Sequence, residues 1–198
     1  VVVVADYDYS LTNWVINSIR DIDPQLNDPG EITLRYALAN AADGDLISFA
    51  ALSGMIDKTD PDGNPYAGTT ITINAELGQF EINNCVTING SIDLGNGVYT
   101  PATINAADNS RVFYINATPT SDGTIVNLQK MIITGGYAST ADITDPAAGN
   151  GGGVYITSNS EVNMWQVQVE GNRADLDGGG SPFAVNGVGD VAQPRDDL

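Results

Sequence analysis

Histidine is absent from this chain of 198 residues. Its absence removes the commonest general base and the commonest transition-metal ligand of proteins. The single cysteine, Cys85, excludes an intrachain disulfide. Because Cys85 stands in an alternating, strand-like run, we predict a small buried apolar side chain rather than a reactive thiol. The cysteine count leaves the redox compartment open.

Basic residues and long apolar runs are also scarce. Lys and Arg number 7 against 25 Asp and Glu, so the net charge is −18. Such a charge repels nucleic acid and anionic membranes, and we expect neither as a partner. No apolar run approaches the roughly 20 residues of a membrane span. The acid is mostly Asp, which favours turns and therefore suits a loop-rich repeat protein.

What the chain does contain is a short phrase that recurs four times. Each copy has a Thr or Tyr, an Ile, an Asn and a small residue, at residues 72–75, 87–90, 103–106 and 114–117. A looser copy follows at residues 133–136. Self-similarity of this kind predicts stacked repeats rather than one globular core.

The spacing of the phrase leaves two architectures open. Its isoleucines are 15, 16, 11 and 18 residues apart, so no single period fits. A sandwich gives short strands at such spacings, and so does a solenoid with three short strands per coil. Asn at matching positions favours the solenoid, where side-chain amides stack and hydrogen-bond along the axis. The alternative for each Asn is an ordinary turn residue.

One helix and many short strands are predicted. Residues 33–44 carry an apolar stripe, with Thr33 as N-cap and Gly44 as C-terminal stop. An apolar patch at residues 14–19 fits a short helix or a strand. The strands are rich in Ile, Val and Thr and are bounded by Gly, Asn and Asp. They are residues 46–50, 70–74, 80–82, 85–88, 102–105, 112–116, 125–128, 131–134, 154–157 and 162–169, after a first strand at residues 1–4.

Several motifs resemble those of a known group of proteins. The Leu-Arg-Tyr-Ala-Leu run at residues 34–38, followed by an Ile-Ser-Phe strand at residues 47–49, resembles the N-terminal signature of right-handed parallel β-helix proteins of bacterial and archaeal surfaces. Residues 110–115 and 132–136 resemble the next landmarks of that group. The glycine-rich block that starts at residue 151 resembles the coil repeat of polymorphic outer-membrane and adhesin-type proteins.

The resemblance implies an all-β fold, a right-handed parallel β-helix (solenoid) with an N-terminal capping α-helix. Residues 1–45 then form a first strand, a polar segment and the capping helix. Residues 46–180 form the β-helix coils, with loop insertions at 51–68 and 137–150. Residues 181–198 form a polar tail.

A loop between two predicted strands carries a candidate calcium site. Alternating oxygen ligands around a Gly turn suit a hard cation such as Ca²⁺. The ligands are Asp57, Asp60, Asp62 and Asn64. The Glu that closes an EF-hand loop is missing, so we expect a solvated Asp-Gly turn with the Ca²⁺ site as its alternative, and no cofactor is otherwise predicted.

The motifs favour a protein without catalytic activity. We expect an extracellular or cell-surface structural or adhesive module whose partners are copies of itself, a glycan or another protein. Strand addition by Val1, Val2, Val3 and Val4 offers a route to a filament or sheath.

Two alternatives remain. One is a polysaccharide lyase or hydrolase relative, which requires a cleft with two or more acids beside Arg111 or Lys130. The other is a glycan-binding fragment of a longer passenger protein. Its aromatic surface would draw on Tyr7, Tyr9, Tyr66, Tyr99 and Tyr137, for which ordinary surface packing is the simpler interpretation.

Overall fold

The computed structural model describes residues 11–56, 68–141 and 147–176, together with the backbone of two short strands beyond them. Strands contain 37% of the residues and helices contain 9%, so the chain belongs to the mainly-β class predicted above. The helix α1 spans Leu34–Asn40, and single 3₁₀ turns occupy Pro24–Leu26 and Leu52–Gly54. The helices within these ranges fall short of the length and apolar character that a membrane crossing requires.

The strands are short, and most lie where the β-rich composition predicts them. In chain order they are β1 Asn13–Ile16, β2 Leu46–Phe49, β3 Thr70–Thr72, β4 Phe80–Ile82, β5 Thr87–Asn89, β6 Ser91–Gly95, β7 Val98–Asn105, β8 Phe113–Ile115, β9 Val126–Gln129, β10 Met131–Thr134, β11 Tyr137–Ala138, β12 Val154–Ile156, β13 Val162–Trp165, β14 Gln168–Glu170, β15 Arg173–Ala174, β16 Phe183–Ala184 and β17 Val191–Ala192.

Most of these strands form three parallel sheets that the chain visits in a fixed order, and β11 and β15 form a separate two-stranded parallel sheet. Sheet 1 runs β1-β2-β5-β9-β13, sheet 2 runs β3-β7-β10-β14, and sheet 3 runs β4-β8-β12-β17. From β2 onward the chain passes from sheet 1 to sheet 2 to sheet 3 and back to sheet 1, and we call one such pass a circuit. Two antiparallel pairs depart from the pattern, the β6–β7 hairpin and β16 at the edge of β14.

The core consists of apolar rows that continue from one circuit to the next. Side chains alternate between the two faces of a strand, so a strand of three or four residues directs one or two side chains inward. In sheet 2, Ile71 pairs with Ile104 and Ile104 with Ile133. All three are fully buried or nearly so. Sheet 1 has the corresponding row Ile47, Ile88 and Leu128, and sheet 3 has Ile82, Ile115 and Ile156.

The recurring Ile-Asn phrase marks strand ends, and its copies stack only where the looser copy at residues 133–136 pairs with the copy at residues 103–106. Ile88, Ile104 and Ile115 belong to three different sheets of one circuit. The Oδ1 of Asn105 accepts the N–H of Ala107 at 2.8 Å, and Asn74 and Asn89 each accept the N–H two residues ahead in the same way. These Asn residues are therefore turn residues, which confirms the interpretation given above for each Asn taken singly, and they do not form the amide stack that would favour a solenoid.

An amide ladder does exist at other positions. On the outer face of sheet 1, Asn163 Nδ2 donates to Asn127 Oδ1 at 3.2 Å. Asn127 Nδ2 in turn lies 3.5 Å from the Thr87 hydroxyl in the circuit before. Side-chain amides therefore do form hydrogen bonds between circuits, but at asparagines outside the recurring phrase.

Helix α1 packs against β1 and β4, the first strands of sheets 1 and 3. Thr33 is its N-cap as predicted, because Thr33 Oγ1 accepts the Tyr36 N–H at 3.1 Å. The helix ends at Asn40 with Ala41 as C-cap, so the prediction of Gly44 as its stop is wrong. The apolar patch near residue 14 is strand β1, and residues 137–138 form strand β11 rather than loop.

Candidate functional site

Two of the predicted sites lie outside the described residues. They are the calcium loop, Asp57, Asp60, Asp62 and Asn64, and the assembly strand, Val1, Val2, Val3 and Val4. Both stay predictions. Within the ranges that the structure describes, no group of three or more Cys, Asp and Glu side chains is arranged to hold a metal ion.

Arg111, one of the two basic residues that the alternative of a polysaccharide lyase or hydrolase would use, is buried and bonded to backbone. Only 2% of it is exposed. Its guanidinium donates to the carbonyl oxygens of Ala147, Asn150 and Gly151 at 2.7–3.1 Å, and to Gln79 Oε1 at 2.6 Å. These contacts fix the glycine-rich segment to the preceding circuits, so Arg111 has a structural role.

The outer face of sheet 3 continues this structural unit. The rings of Tyr114 and Tyr155, which are register partners in β8 and β12, stack with centroids 5.6 Å apart and planes inclined by 12°. The guanidinium of Arg111 lies 5.8 Å and 5.3 Å from the two centroids. A cation over aromatic faces adds roughly 0.5–2 kcal/mol per contact.

A polar groove of about 770 Å³ lies beside α1, and we call it the helix groove. Its principal lining residues are Arg35, Gln79, Glu81, Asp108, Arg111 and Tyr137. Two carboxylates thus stand in a cleft with Arg111. The Arg35 guanidinium is bonded to the Asp21 carboxylate and to the carbonyl oxygens of Gly78 and Gln79. Because an arginine side chain does not lose its proton in a protein, neither arginine serves as a base.

A second groove is built on the sharp corner between sheets 1 and 2. Lys130 alone separates β9 from β10, and it takes a left-handed backbone with φ 52°. Gln166 turns the chain in the same way after β13, with φ 54°. This turn divides the single strand predicted for residues 162–169 into two. Gly90 holds the matching position after β5, and a Cβ there would lie 2.6 Å from the Lys130 carbonyl oxygen. Only glycine permits that approach.

A hairpin rises from this corner directly after Gly90. Strand β6 pairs antiparallel with the start of β7, with Asp93 opposite Tyr99 and Ser91 opposite Pro101. Ile92 on the other face of β6 is fully buried, which anchors the hairpin to the body. Tyr99 is 64% exposed.

The space between the hairpin and the corner is a groove of about 690 Å³, which we call the corner groove. Its lining includes Phe49, Asn89, Asp93, Tyr99, Lys130 and Gln166. The Lys130 ammonium lies 5.4 Å from the ring centroid of Trp165, a side chain that is 50% exposed. The groove therefore combines aromatic faces, side-chain amides and one charge of each sign.

Cys85 is buried, as predicted. Burial raises the pKa of its thiol, and the charge of Asp43 raises it further. The Sγ atom lies 3.2 Å from the Thr118 carbonyl oxygen. A thiol held in its neutral form is a poor nucleophile, which agrees with the interpretation of Cys85 as a packing residue.

The corner groove was missed at the level of sequence. Residues 95–97 read Gly-Asn-Gly, a strong signal for a hairpin turn, and all three take positive φ. That signal was sufficient to predict the hairpin. The corner itself has no comparable signal, because Lys130 and Gln166 are not residues that normally mark a left-handed turn.

Comparison with known protein families, with curated proteins and with solved structures found no match to this chain.

Proposed function

We propose that the three parallel sheets form a right-handed parallel β-helix, with α1 as its N-terminal capping helix. The fixed order in which the chain visits the sheets and the in-register apolar rows support this proposal. The right hand follows from the chirality of parallel strand connections, which are right-handed in nearly all known cases.

We propose further that the protein is a non-catalytic structural or adhesive module of an extracellular or cell-surface protein. The observation that carries this proposal is the use of the four arginines in the described ranges. Arg20 pairs with Glu31 and Arg35 with Asp21, Arg111 binds carbonyl oxygens, and the Arg173 guanidinium lies 3.7 Å from the Tyr137 ring centroid. These cations hold the scaffold together, which argues against their use on a substrate.

Two measurements on the intact protein test this function. We expect binding to glycans or matrix proteins immobilised on a surface. We also expect no release of reducing ends or unsaturated products from neutral and acidic polysaccharides. Sustained turnover by the purified chain would overturn the proposal.

A polysaccharide-active enzyme is the second candidate, and the two carboxylates of the helix groove favour it. Paired carboxylates are the catalytic groups of most glycosidases. The test is Glu81→Gln and Asp108→Asn, with Glu161→Gln as a matched control on an exposed residue outside the groove. Turnover that both groove variants abolish and the control retains would establish the enzyme. Turnover that survives both variants would exclude this groove.

Self-assembly is a variant of the structural function. Strand β13 pairs with β9, and no strand in the described part of the chain pairs with its other edge. An exposed parallel edge accepts a strand from another copy. We therefore propose that Val1–Val4 supplies such a strand.

Light scattering of the intact chain and of a Val2→Asp, Val4→Asp variant tests the assembly. Leu26→Asp, at an exposed position, controls for the added charge. Larger particles that disappear only in the valine variant would support assembly. A monomer in all three samples would reject it.

A further inference from the structure

The corner groove crosses several circuits in succession. Phe49 follows Ser48, the register partner of Asn89, so Phe49 and Gly90 hold equivalent corner positions, and Lys130 and Gln166 continue the row. Neighbouring strands of a sheet lie about 4.8 Å apart, so these four positions span about 14 Å along the stacking direction. The groove is thus elongated along that direction and suits a chain-like ligand.

Aromatic side chains stand along this row. Tyr99 projects from the hairpin and is 64% exposed, whereas Phe49 lines the floor of the groove from the core and is only 8% exposed. Trp165 lies next to Lys130, close to the last position of the row. Large exposed aromatic rings provide flat apolar faces with little conformational entropy to lose on binding. Such faces match the C–H faces of sugar rings.

Between the aromatic faces, the lining is rich in groups that both donate and accept hydrogen bonds. Asn89, Ser91, Thr100 and Gln166 all belong to this class. The Oδ1 of Asn89 accepts the Ser91 N–H at 3.1 Å, which fixes this amide at the groove wall. Sugar hydroxyls also donate and accept, so they satisfy such a lining, whereas a proline-rich peptide offers carbonyl acceptors and few donors.

The charge of the groove indicates a neutral ligand. Lys130 and Asp93 are the two charged residues of its lining, and they have opposite signs. The chain as a whole carries −18 charges, so an anionic saccharide is repelled at long range. A single lysine in a groove that is also lined by a carboxylate does not reverse that repulsion.

From these observations we propose that the corner groove binds a neutral oligosaccharide chain that runs along the stacking direction. The inference rests on the non-catalytic adhesive function proposed above and names the ligand class and the site. Tyr99 supplies the principal stacking face, and Asn89, Gln166 and Lys130 supply hydrogen bonds to hydroxyl groups.

Isothermal titration with cellohexaose, mannohexaose and chitohexaose tests the proposal. The protein variants are Tyr99→Ala, Tyr99→Phe and Val98→Ala. Val98 is the matched control, because it is exposed on the same hairpin but does not line the groove. We expect at least one hexasaccharide to bind, Tyr99→Ala to weaken it tenfold or more, and Tyr99→Phe to retain binding within about threefold. Tenfold corresponds to about 1.4 kcal/mol. Val98→Ala binds like the parent protein.

Several outcomes overturn the inference. They are no binding of any neutral hexasaccharide at millimolar concentration, equal binding by Tyr99→Ala, and preferential binding of an oligogalacturonate or of a proline-rich peptide. Reducing-end analysis of the same samples detects cleavage of a bound hexasaccharide. Cleavage would contradict the non-catalytic function but would leave the ligand class of the groove intact. The two proposals therefore fail separately.

Discussion

The N-terminal layer, residues 11–45, and the circuits that follow it are held together by different forces. The layer contains three buried carboxylates, Asp21, Glu31 and Asp45. The circuits contain rows of apolar side chains such as Ile71, Ile104 and Ile133. Both regions bury apolar side chains, but the buried carboxylates are concentrated in the layer, whereas the buried polar side chains in the described part of the circuits are Arg111 and Asn172.

The position of the layer at the end of the stack explains the difference. A strand inside the stack finds backbone partners in the circuits on both sides, whereas β1, β3 and β4 have a partner on one side only among the described strands. Buried backbone N–H groups need acceptors. Asp45 accepts the N–H groups of Thr12 and Ala42 and the Trp14 indole N–H at 2.8–3.0 Å, and Asp21 accepts the Asn74 N–H. Asp21 thus accepts a backbone N–H just beyond the end of β3, and Asp45 joins the segment before β1 to the turn before β2.

The largest effect is expected when the ionic bond of the layer is broken. Arg35→Ala leaves the Asp21 carboxylate, whose side chain is fully buried, without its guanidinium partner. It also removes the donors to two carbonyl oxygens and the cation that lies 4.5 Å from the Phe80 ring centroid. Loss of one partner of a buried pair costs about 3–5 kcal/mol. Urea unfolding measures the change.

Arg173→Ala is the matched control for this experiment. Its guanidinium lies over the Tyr137 ring at an exposed position, where such a contact is worth roughly 1 kcal/mol or less. Equal destabilisation by the two variants would contradict the ionic role assigned to Arg35.

A cavity in the circuits is expected to have a comparable or slightly smaller effect. Ile104→Ala removes a 1% exposed side chain from the middle of the sheet 2 row, between Ile71 and Ile133. Such a truncation costs about 2–5 kcal/mol through lost burial and the cavity that it leaves. The measurement is again the free energy of unfolding in urea. Thr103→Ala, on the opposite face of the same strand, should change it by about 0.5 kcal/mol, and a Thr103 effect as large as that of Ile104 would refute the assignment of the core face.

Acid is expected to affect the layer before the circuits. Burial disfavours the charged form of Asp45, but the N–H groups of Ala42, Trp14 and Thr12 outweigh it and hold the pKa below its ordinary value of 3.8. For Glu31, burial is likewise outweighed, chiefly by Arg20, and the pKa lies below 4.5. A lowered pKa stabilises the folded state above the ordinary value, and this stabilisation is lost as the pH falls through the folded value. The pH range in which the layer loses this stabilisation therefore lies below about pH 4.5.

Tryptophan fluorescence separates the two regions in this window. The chain has two tryptophans, so a Trp165→Phe background leaves Trp14, whose indole is bonded to Asp45. We expect its signal to change at a higher pH than the far-UV circular dichroism of the sheets. Asp45→Asn should cost about 1–3 kcal/mol at neutral pH and should reduce this difference. Coincident transitions in both proteins would show that the layer has no separate acid sensitivity.

The sequence predicted the circuits better than it predicted their corners. The alternation of buried apolar and exposed residues, together with the β-branched side chains, indicates directly which positions face inward. The predicted bounds of the strands at residues 80–82 and 131–134 are therefore those of the structure. Lys130 and Gln166 carry no such signal, because their left-handed backbone is imposed by the neighbouring circuits and not by local preference. The strand predicted for residues 162–169 was therefore left undivided.

The polar contacts of the layer were equally hidden. Arg35 was recognised as part of a motif, but Asp21 lies 14 residues before it, and the Gly78 and Gln79 carbonyl groups lie more than 40 residues after it. No local pattern connects these groups. The corner groove shows the same limit, since Phe49, Tyr99 and Gln166 meet only after the circuits have stacked.

The recurring asparagines provide the smallest test of the difference between the two regions. Removing a polar group that acts only within its own turn should cost far less than breaking the ionic bond of the layer. Asn105→Ala removes the acceptor for the Ala107 N–H, at a residue with φ 50°, and should cost about 0.5–1.5 kcal/mol. Asn116→Ala is the matched control, because Asn116 Oδ1 accepts from the Thr157 hydroxyl at an exposed position. It should cost less than Asn105→Ala. A loss above about 3 kcal/mol for Asn105→Ala would mean that Asn105 supports more than its own turn, as Arg111 does through its contacts with Ala147 and Gly151.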